Sequence, residues 1–492
     1  MDFSTFSNYQ KLNFLLKDTL IYGISSALTK FTTLILLPIL TFHFSPLEFG
    51  IIDYFLILIQ TFVLFLVFGL ESSVARFFYQ YKEVDERKEL ISQSIVLQSI
   101  FIFTGYLILY LFYDQFKIQS NSLTDSSVIF FLSIAHAPFM VFINFSSSIL
   151  KWSFNQKKFI VLSLGVVLSN FILISIGIFF YDISIEDFFI ISLINNIFFS
   201  IIGIFLIKEW LIVPSSFSFF KELFFFSAPL GLMSIFSSLT PFFERLIIIN
   251  KIGLFQNGNF ALISKLGLAL LVIVSAFQTS WGPFSLSTYK NKDSIKSFNL
   301  ILIYFTFGIF LSVLLLSWAI PIFSELIFSD KYDIAGDVLS IIFIGIALKG
   351  VSWILEIGIS FSKKTIYYLF IYLVSFFIGL FSMYFLIDSY EIKGIAIGTC
   401  IGIISKLLMG YYFSQKTYPL KWEIFPALEI FVFFLVLYLA VYLLKTNFSI
   451  NELFTYPISI LVFLVYGKIR FIREDFNLNE IFKNKFKKNN KI

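Results

Sequence analysis

The chain has 492 residues, of which 58% are hydrophobic and 14% charged, with a formal net charge of +5. Soluble domains use charge at about a quarter of their positions. This usage therefore excludes a soluble enzyme and reads as a polytopic membrane protein with no room for a separate catalytic domain. The one cysteine, Cys400, excludes a disulfide framework and a cysteine-built metal centre.

Lys11 and Lys17 precede the first apolar run without an A-x-A-like cleavage site, so that run reads as a retained helix and not a removed signal peptide. At about 20 residues per crossing, the apolar stretches predict fourteen spans. They run over residues 19–42, 49–70, 90–112, 128–150, 159–181, 188–207, 223–250, 259–279, 298–323, 338–361, 365–387, 392–413, 424–444 and 453–467. Twelve spans is the alternative count. His43 and His136 sit near predicted helix ends, far apart in sequence, and read as packing residues; no metal site is expected.

Cytoplasmic loops retain Lys and Arg. With the amino terminus inside, 26 of the 36 basic residues fall on the inner side and 5 on the outer side: Lys117, Lys251, Lys331, Lys393 and Lys445. The other 5 are intramembrane: Lys30, Arg245, Lys265, Lys349 and Lys406. Both termini are thus expected in the cytoplasm.

The opening of the chain recurs. Lys17, Pro38 and Gly50 return as Lys221, Pro241 and Gly258, at offsets of 204, 203 and 208 residues. Six predicted spans separate the two openings, so the repeat is parallel and not inverted. The expected organisation is an N-lobe over 1–207, a cytoplasmic linker over 208–221 and a C-lobe over 222–415. Two added helices over 416–468 and a basic cytoplasmic tail over 469–492 follow.

Five intramembrane cations facing lipid would cost about 12 to 17 kcal/mol on translocon scales, so they are expected to face water or partners. Arg245, Lys265 and Lys406 lie near span ends, where snorkelling is an alternative. Glu244 and Arg245 are consecutive, so their side chains diverge and each is expected to find another contact. Asp53, Glu71 and Glu356 are the candidate counter-ions, within structural salt bridges. Tyr22, Ser26, Thr29 and Thr33 share one helical face with Lys30, and Ser227, Ser234 and Ser238 share one with Arg245. The two stripes could line a central cavity; the plainer alternative is that the hydroxyls bond to backbone carbonyls. Trp281-x-Pro283-Phe284 reads as the end of the eighth span, with Trp281 an interfacial anchor. No HExxH, P-loop or Gly-rich dinucleotide motif occurs, so no cofactor and no nucleic-acid partner is expected.

The pattern Ala228-Pro229-Leu230, Glu244-Arg245-Leu246-Ile247-Ile248, Gly258-x-Phe260, Lys265-Leu266-Gly267, and Ala276-Phe277-Gln278 through Trp281-x-Pro283-Phe284 resembles the oligosaccharide flippases of polysaccharide biosynthesis. Those are relatives of the MATE multidrug transporters and the lipid II flippases. The resemblance covers about residues 12–415. It implies an all-α, MATE-like fold of two lobes with a 6+6 repeat and two C-terminal helices. It also implies export of undecaprenyl-pyrophosphate-linked repeat units for O-antigen or capsule across the bacterial cytoplasmic membrane. The partners implied are that polyprenyl-linked oligosaccharide, membrane lipid, and polymerase and chain-length machinery.

The candidate substrate residues are Lys30, Arg245, Lys265, Glu244, Asp53 and Lys349, with Lys30, Arg245 and Lys265 expected to bind the pyrophosphate. A multidrug antiporter or lipid II flippase is the first alternative; the absence of an acidic residue between Thr19 and Phe42 disfavours an antiporter. A polymerase or membrane glycosyltransferase is the second, disfavoured by the short outer loop over 113–127 and the lack of a catalytic constellation.

Overall fold

The computed structural model describes residues 8–81, 83–111, 126–290, 294–364, 366–448 and 452–473. Lys117, most of the 113–127 loop and the tail beyond residue 473 lie outside the described residues. So do the side chains of Tyr22 and Ser26.

Every regular element among the described residues is helical. In chain order these are α1 (Asn8–His43), α2 (Pro46–Val67), α3 (Leu70–Gln80), α4 (Val84–Leu111), α5 (Ser126–Ala135), α6 (Ala137–Trp152), α7 (Gln156–Tyr181), α8 (Ile185–Ile207), α9 (Phe220–Lys251) and α10 (Leu254–Leu266). They continue as α11 (Leu268–Thr288), α12 (Ser294–Ile327), α13 (Gly336–Leu355), α14 (Ile357–Phe361), α15 (Ile366–Thr417), α16 (Ile424–Phe448) and α17 (Glu452–Arg473). Four pairs are single crossings with one break each: α2 with α3, α5 with α6, α10 with α11, and α13 with α14. Conversely, α15 is two crossings joined at Glu391, whose φ of 49° interrupts the helix. Counted so, the chain makes 14 crossings, as the apolar runs predict.

Local chemistry sets the boundaries. Pro46 occupies the first turn of α2 behind a capping box in which Ser45 and Glu48 satisfy each other's backbone N–H groups. At its other end Phe68 and Gly69 both take the left-handed conformation, and the chain re-enters the helix as α3. Ser184 and Asp187 cap α8 in the same way as Ser45 and Glu48 cap α2.

Two sequence expectations are corrected here. Asn257-Gly258, left between the predicted spans 223–250 and 259–279, lies inside α10, where those two residues form a helix crossing: the Asn257 side-chain amide donates to the Gly50 carbonyl at 2.8 Å. Trp281-x-Pro283-Phe284 does not end its helix, since α11 continues to Thr288 with Pro283 inside it. Trp281 is buried and donates its indole N–H to the Trp353 carbonyl at 3.2 Å, so it anchors α11 to α13 and not to an interface.

The described residues form two compact units, those within 1–289 and 324–420, and those within 290–323 and 421–473. In the first, α2 is the most enclosed, buried over most of its surface with only Gln60, Leu64 and Phe65 exposed, and it meets α4, α5, α6, α9 and α10. By the repeat offset, α1 corresponds to α9, and the pair α2–α3 corresponds to α10–α11. Against that correspondence the packing is crossed, α1 on α11, α3 on α9 and α2 on α10. One kind of contact is therefore made twice, once from each repeat. In the second unit the aromatic face of α12 packs on α16 and α17, with Phe307 stacked on Phe463 at 4.9 Å and Phe310 tilted against Phe434 at 4.7 Å.

Candidate functional site

Asp53 stands one turn beyond Gly50 on α2 and points into the crevice between α9 and α10, where it is wholly buried. Arg245 of α9 donates Nε–H to Asp53 Oδ2 at 2.9 Å, and Lys265 of α10 donates to Oδ1. The second carboxylate, Glu244, accepts from Arg245 Nη1 at 2.9 Å through Oε2, and from Thr399 of α15 at 2.7 Å through Oε1. Aromatic rings close the set: the Arg245 guanidinium lies over Phe260 at 5.0 Å and the Lys265 ammonium over Phe49 at 5.6 Å. Four charges at this depth would cost about 10 to 14 kcal/mol if each faced lipid. Two cations interleaved with two carboxylates offset much of that penalty, because every charge has a bonded counter-charge.

The set corrects two expectations. Glu244 and Arg245 do pair with each other; the arginine is long enough to fold back along its own helix while its Nε reaches Asp53. Arg245 also does not snorkel, being 3% exposed. The network joins α2 of the first repeat to α9 and α10 of the second, so these residues mark the seam between repeats.

Lys30 is held elsewhere. It donates to Ser275 Oγ at 2.6 Å, joining α1 to α11. The hydroxyl stripes bond to their own helices: Thr29 donates to the Ser25 carbonyl, Thr33 to Thr29, Ser234 to Leu230 and Ser238 to Ile235. One bond crosses the seam, Thr61 Oγ1 to the Ser238 carbonyl at 3.4 Å. Glu71 accepts from Ser148 at 3.2 Å and takes no part in the Arg245 cluster.

A second charged group lies between α13 and α15. Lys406 is buried, 3.7 Å from Glu356 Oε2, and donates to the Tyr372 hydroxyl at 3.1 Å. Snorkelling is thus ruled out for Lys406 as well. Together with Lys349 it lines a cavity of about 270 Å³ bounded by α9, α13 and α15, which Glu244 and Thr399 also border. The structure therefore gathers Asp53, Glu244, Arg245 and Lys265 into one cluster, sets Lys349 in the adjoining cavity, and leaves Lys30 on the α1–α11 contact.

Sequence reading missed Thr399, Ser275 and Tyr372. A hydroxyl in an apolar run has no distinguishing spacing, and only its partner across the fold reveals it. The histidines bond to backbone carbonyls, His43 to Ile183 and His136 to Leu132, each at 2.8 Å.

Fourteen apolar crossings, with paired charges where the two sequence repeats meet, define a multi-pass membrane protein. Residues 15–286 match the family model described as polysaccharide biosynthesis protein. The chain belongs to that family. It is 24% identical over 288 residues to an uncharacterized membrane protein of Haemophilus influenzae, covering 57% of this chain and 67% of that one. In fold it is similar to the lipid II flippase MurJ in an inward closed conformation, with a TM-score of 0.66 and 18% identity over 93% of this chain and 99% of that one. It is likewise similar to an inward-facing MATE multidrug resistance transporter of the MOP superfamily, with a TM-score of 0.63, 16% identity, and coverage of 77% and 92%.

Proposed function

We propose that the protein moves undecaprenyl-pyrophosphate-linked oligosaccharide repeat units across the bacterial cytoplasmic membrane for surface polysaccharide such as O-antigen or capsule. Both termini face the cytoplasm, and a polymerase with its chain-length machinery takes the product. The observation that carries this reading is the bonding of two cations from the second repeat, Arg245 and Lys265, to a carboxylate of the first, Asp53. When α2 separates from α9 and α10, those cations lose Asp53 and become open to another anion. A pyrophosphate diester bears two negative charges and must shed hydration to cross. Arg245 can grip its oxygens through two parallel bonds and Lys265 can act as a point charge. Return of Asp53 expels the headgroup, so binding stays reversible. Lys30 acts on the same path from α1, released from Ser275 as α1 and α11 part.

The test is deletion of the gene followed by leaflet-resolved analysis of lipid-linked repeat units. Accumulation on the inner leaflet with loss of surface polysaccharide is expected. Complete, unpolymerised units on the outer leaflet would instead identify a polymerase and overturn the reading.

A further inference from the structure

The charged groups in and beside the cavity between α9, α13 and α15 do not balance. The Asp53 cluster and the Lys406 pair together contain three carboxylates, Asp53, Glu244 and Glu356, and three cations bonded to them, Arg245, Lys265 and Lys406. Lys349 is a fourth cation, on α13. Among the described residues no hydrogen bond or ion pair within 4 Å reaches its ammonium, although it lines the cavity. An uncompensated cation within a membrane span is costly. Glu244 also borders the cavity, but both its oxygens are taken, one by Arg245 and one by Thr399.

The α9 wall supplies a second sign of an unfilled site. The other hydroxyls of α9, Ser227, Ser234 and Ser238, bond back to a carbonyl three or four residues earlier. Ser237 and Thr240, which face the cavity, make no such bond among the described residues. Pro241 lies beside them. It has no N–H to give the Ser237 carbonyl four residues back, so the same stretch carries a freed acceptor and two free hydroxyls. Tyr372 and Ser375 line the opposite wall. Beside the paired Glu244 and Lys406, the arrangement is one uncompensated charge, Lys349, near groups able both to donate and to accept. That mixture suits an acidic group carried on a polyol better than a bare apolar ligand. At about 270 Å³, the space lies just below the usual range of small-molecule pockets, about 300–1,000 Å³, so it admits one ring and not an oligosaccharide.

We propose that this cavity is an anion site that takes the acidic group of a single sugar residue, a carboxylate or a phosphate, with Lys349 as its charged ligand and Ser237 and Thr240 as hydroxyl contacts. The sugar part rests on the export reading above; the anion part stands without it. The repeat unit carried would then be acidic, with its charged sugar seated apart from the pyrophosphate at Arg245 and Lys265.

The experiment is thermal unfolding of the full-length protein in lipid nanodiscs at constant ionic strength, with glucuronate, inorganic phosphate or glucose added. Stabilisation by glucuronate and not by glucose is expected, weakened at least tenfold in apparent affinity by Lys349→Met and retained in part by Lys349→Arg. Stabilisation by phosphate alone, with the same dependence on Lys349, assigns the site to a phosphorylated group. Without ligand, Lys349→Met is expected to melt at or above the wild-type temperature, since it removes an unbalanced charge. A large loss of unliganded stability would show Lys349 to be a structural partner, and absence of any Lys349-dependent anion effect would overturn the site. Because binding is read without transport, failure here leaves the export reading intact. Failure of export in cells likewise leaves the anion site standing.

Discussion

Gly50 of α2 and Gly258 of α10 lie backbone to backbone across the seam between the two repeats. A methyl group on Gly258 would fall inside the radius of the Pro46 carbonyl, and one on Gly50 inside that of the Leu254 carbonyl. Pro46 and Leu254 stand 208 residues apart, as do Gly50 and Gly258, so the two halves of this contact are the same contact made once from each repeat. Asp53 lies a single turn further along α2, and so the close approach of backbones delivers it to Arg245 and Lys265.

The first expectation concerns that approach. Gly258→Ala must push α10 off Pro46, where the obstacle is backbone and cannot rotate away, and overpacking of this kind costs about 1–3 kcal/mol. Gly308→Ala on α12, where an added methyl meets nothing within 4 Å, should be neutral or stabilising. Melting temperatures of the two variants in the same detergent measure the difference. Equal stability would show that α2 and α10 do not meet as described.

The second concerns Lys406 and Glu356, a pair buried between α13 and α15. Lys406→Met leaves the Glu356 carboxylate without its cation, and breaking a buried pair typically costs about 3–5 kcal/mol. The double variant with Glu356→Gln should recover most of that loss, because neither group then carries a charge. A thermodynamic cycle of the two single variants and the double variant reads the coupling. Additive losses would mean that the two side chains act independently.

Much of this arrangement is legible in the sequence, and the reasons are physical. Fourteen crossings follow from the fixed thickness of a bilayer, and the repeat follows from matched Lys, Pro and Gly positions. That Arg245 and Lys265 need counter-charges follows from the expense of charge in hydrocarbon, and Asp53 stands among the three candidates so identified. What does not follow is which candidate serves which cation: Asp53 takes Arg245 and Lys265, Glu356 takes Lys406, and Glu71 takes Ser148. Those choices depend on how α2 crosses α9 and α10, which no spacing along one helix records. The Glu244–Arg245 pair escaped for a related reason. Side chains of consecutive residues diverge at their Cβ atoms, but a guanidinium four bonds further out can return.

The third expectation is topological and rests on the charge split between inner and outer segments. With Cys400 replaced by serine, cysteines placed at Lys157 and Lys364 should resist an impermeant maleimide in intact cells, and one at Lys445 should react. Cys400 is itself buried, its thiol donating to the Ile341 carbonyl at 3.2 Å, so its replacement should be well tolerated. Reaction at Lys157 from outside would reverse the orientation and the proposed direction of transport.

The fourth expectation separates a static salt bridge from a releasable one. If Asp53 only balances charge, Arg245→Ala and Asp53→Asn should both act through stability, and exchanging the two residues, Asp53→Arg with Arg245→Asp, should restore function by restoring the pair. If Asp53 instead holds the cations until α2 withdraws, the two single variants differ in kind. Arg245→Ala removes the group proposed to grip pyrophosphate, so export should be lost even where the protein is inserted at normal abundance. Arg245→Lys should keep part of the export, since it retains the charge without the paired bonds. Asp53→Asn preserves the shape and leaves Arg245 its bond to Glu244 but strips Lys265 of its counter-charge, so the protein should still fold, with reduced stability. What it removes is the anion that competes with the headgroup, and the expected result is tighter retention of lipid-linked substrate together with slower turnover. Co-purification of lipid-linked oligosaccharide with each variant, measured beside surface polysaccharide, reads both effects. More bound lipid and less export in Asp53→Asn supports exchange between carboxylate and pyrophosphate. Full export in Arg245→Ala, or full rescue by the exchanged pair, would leave these residues a packing role alone.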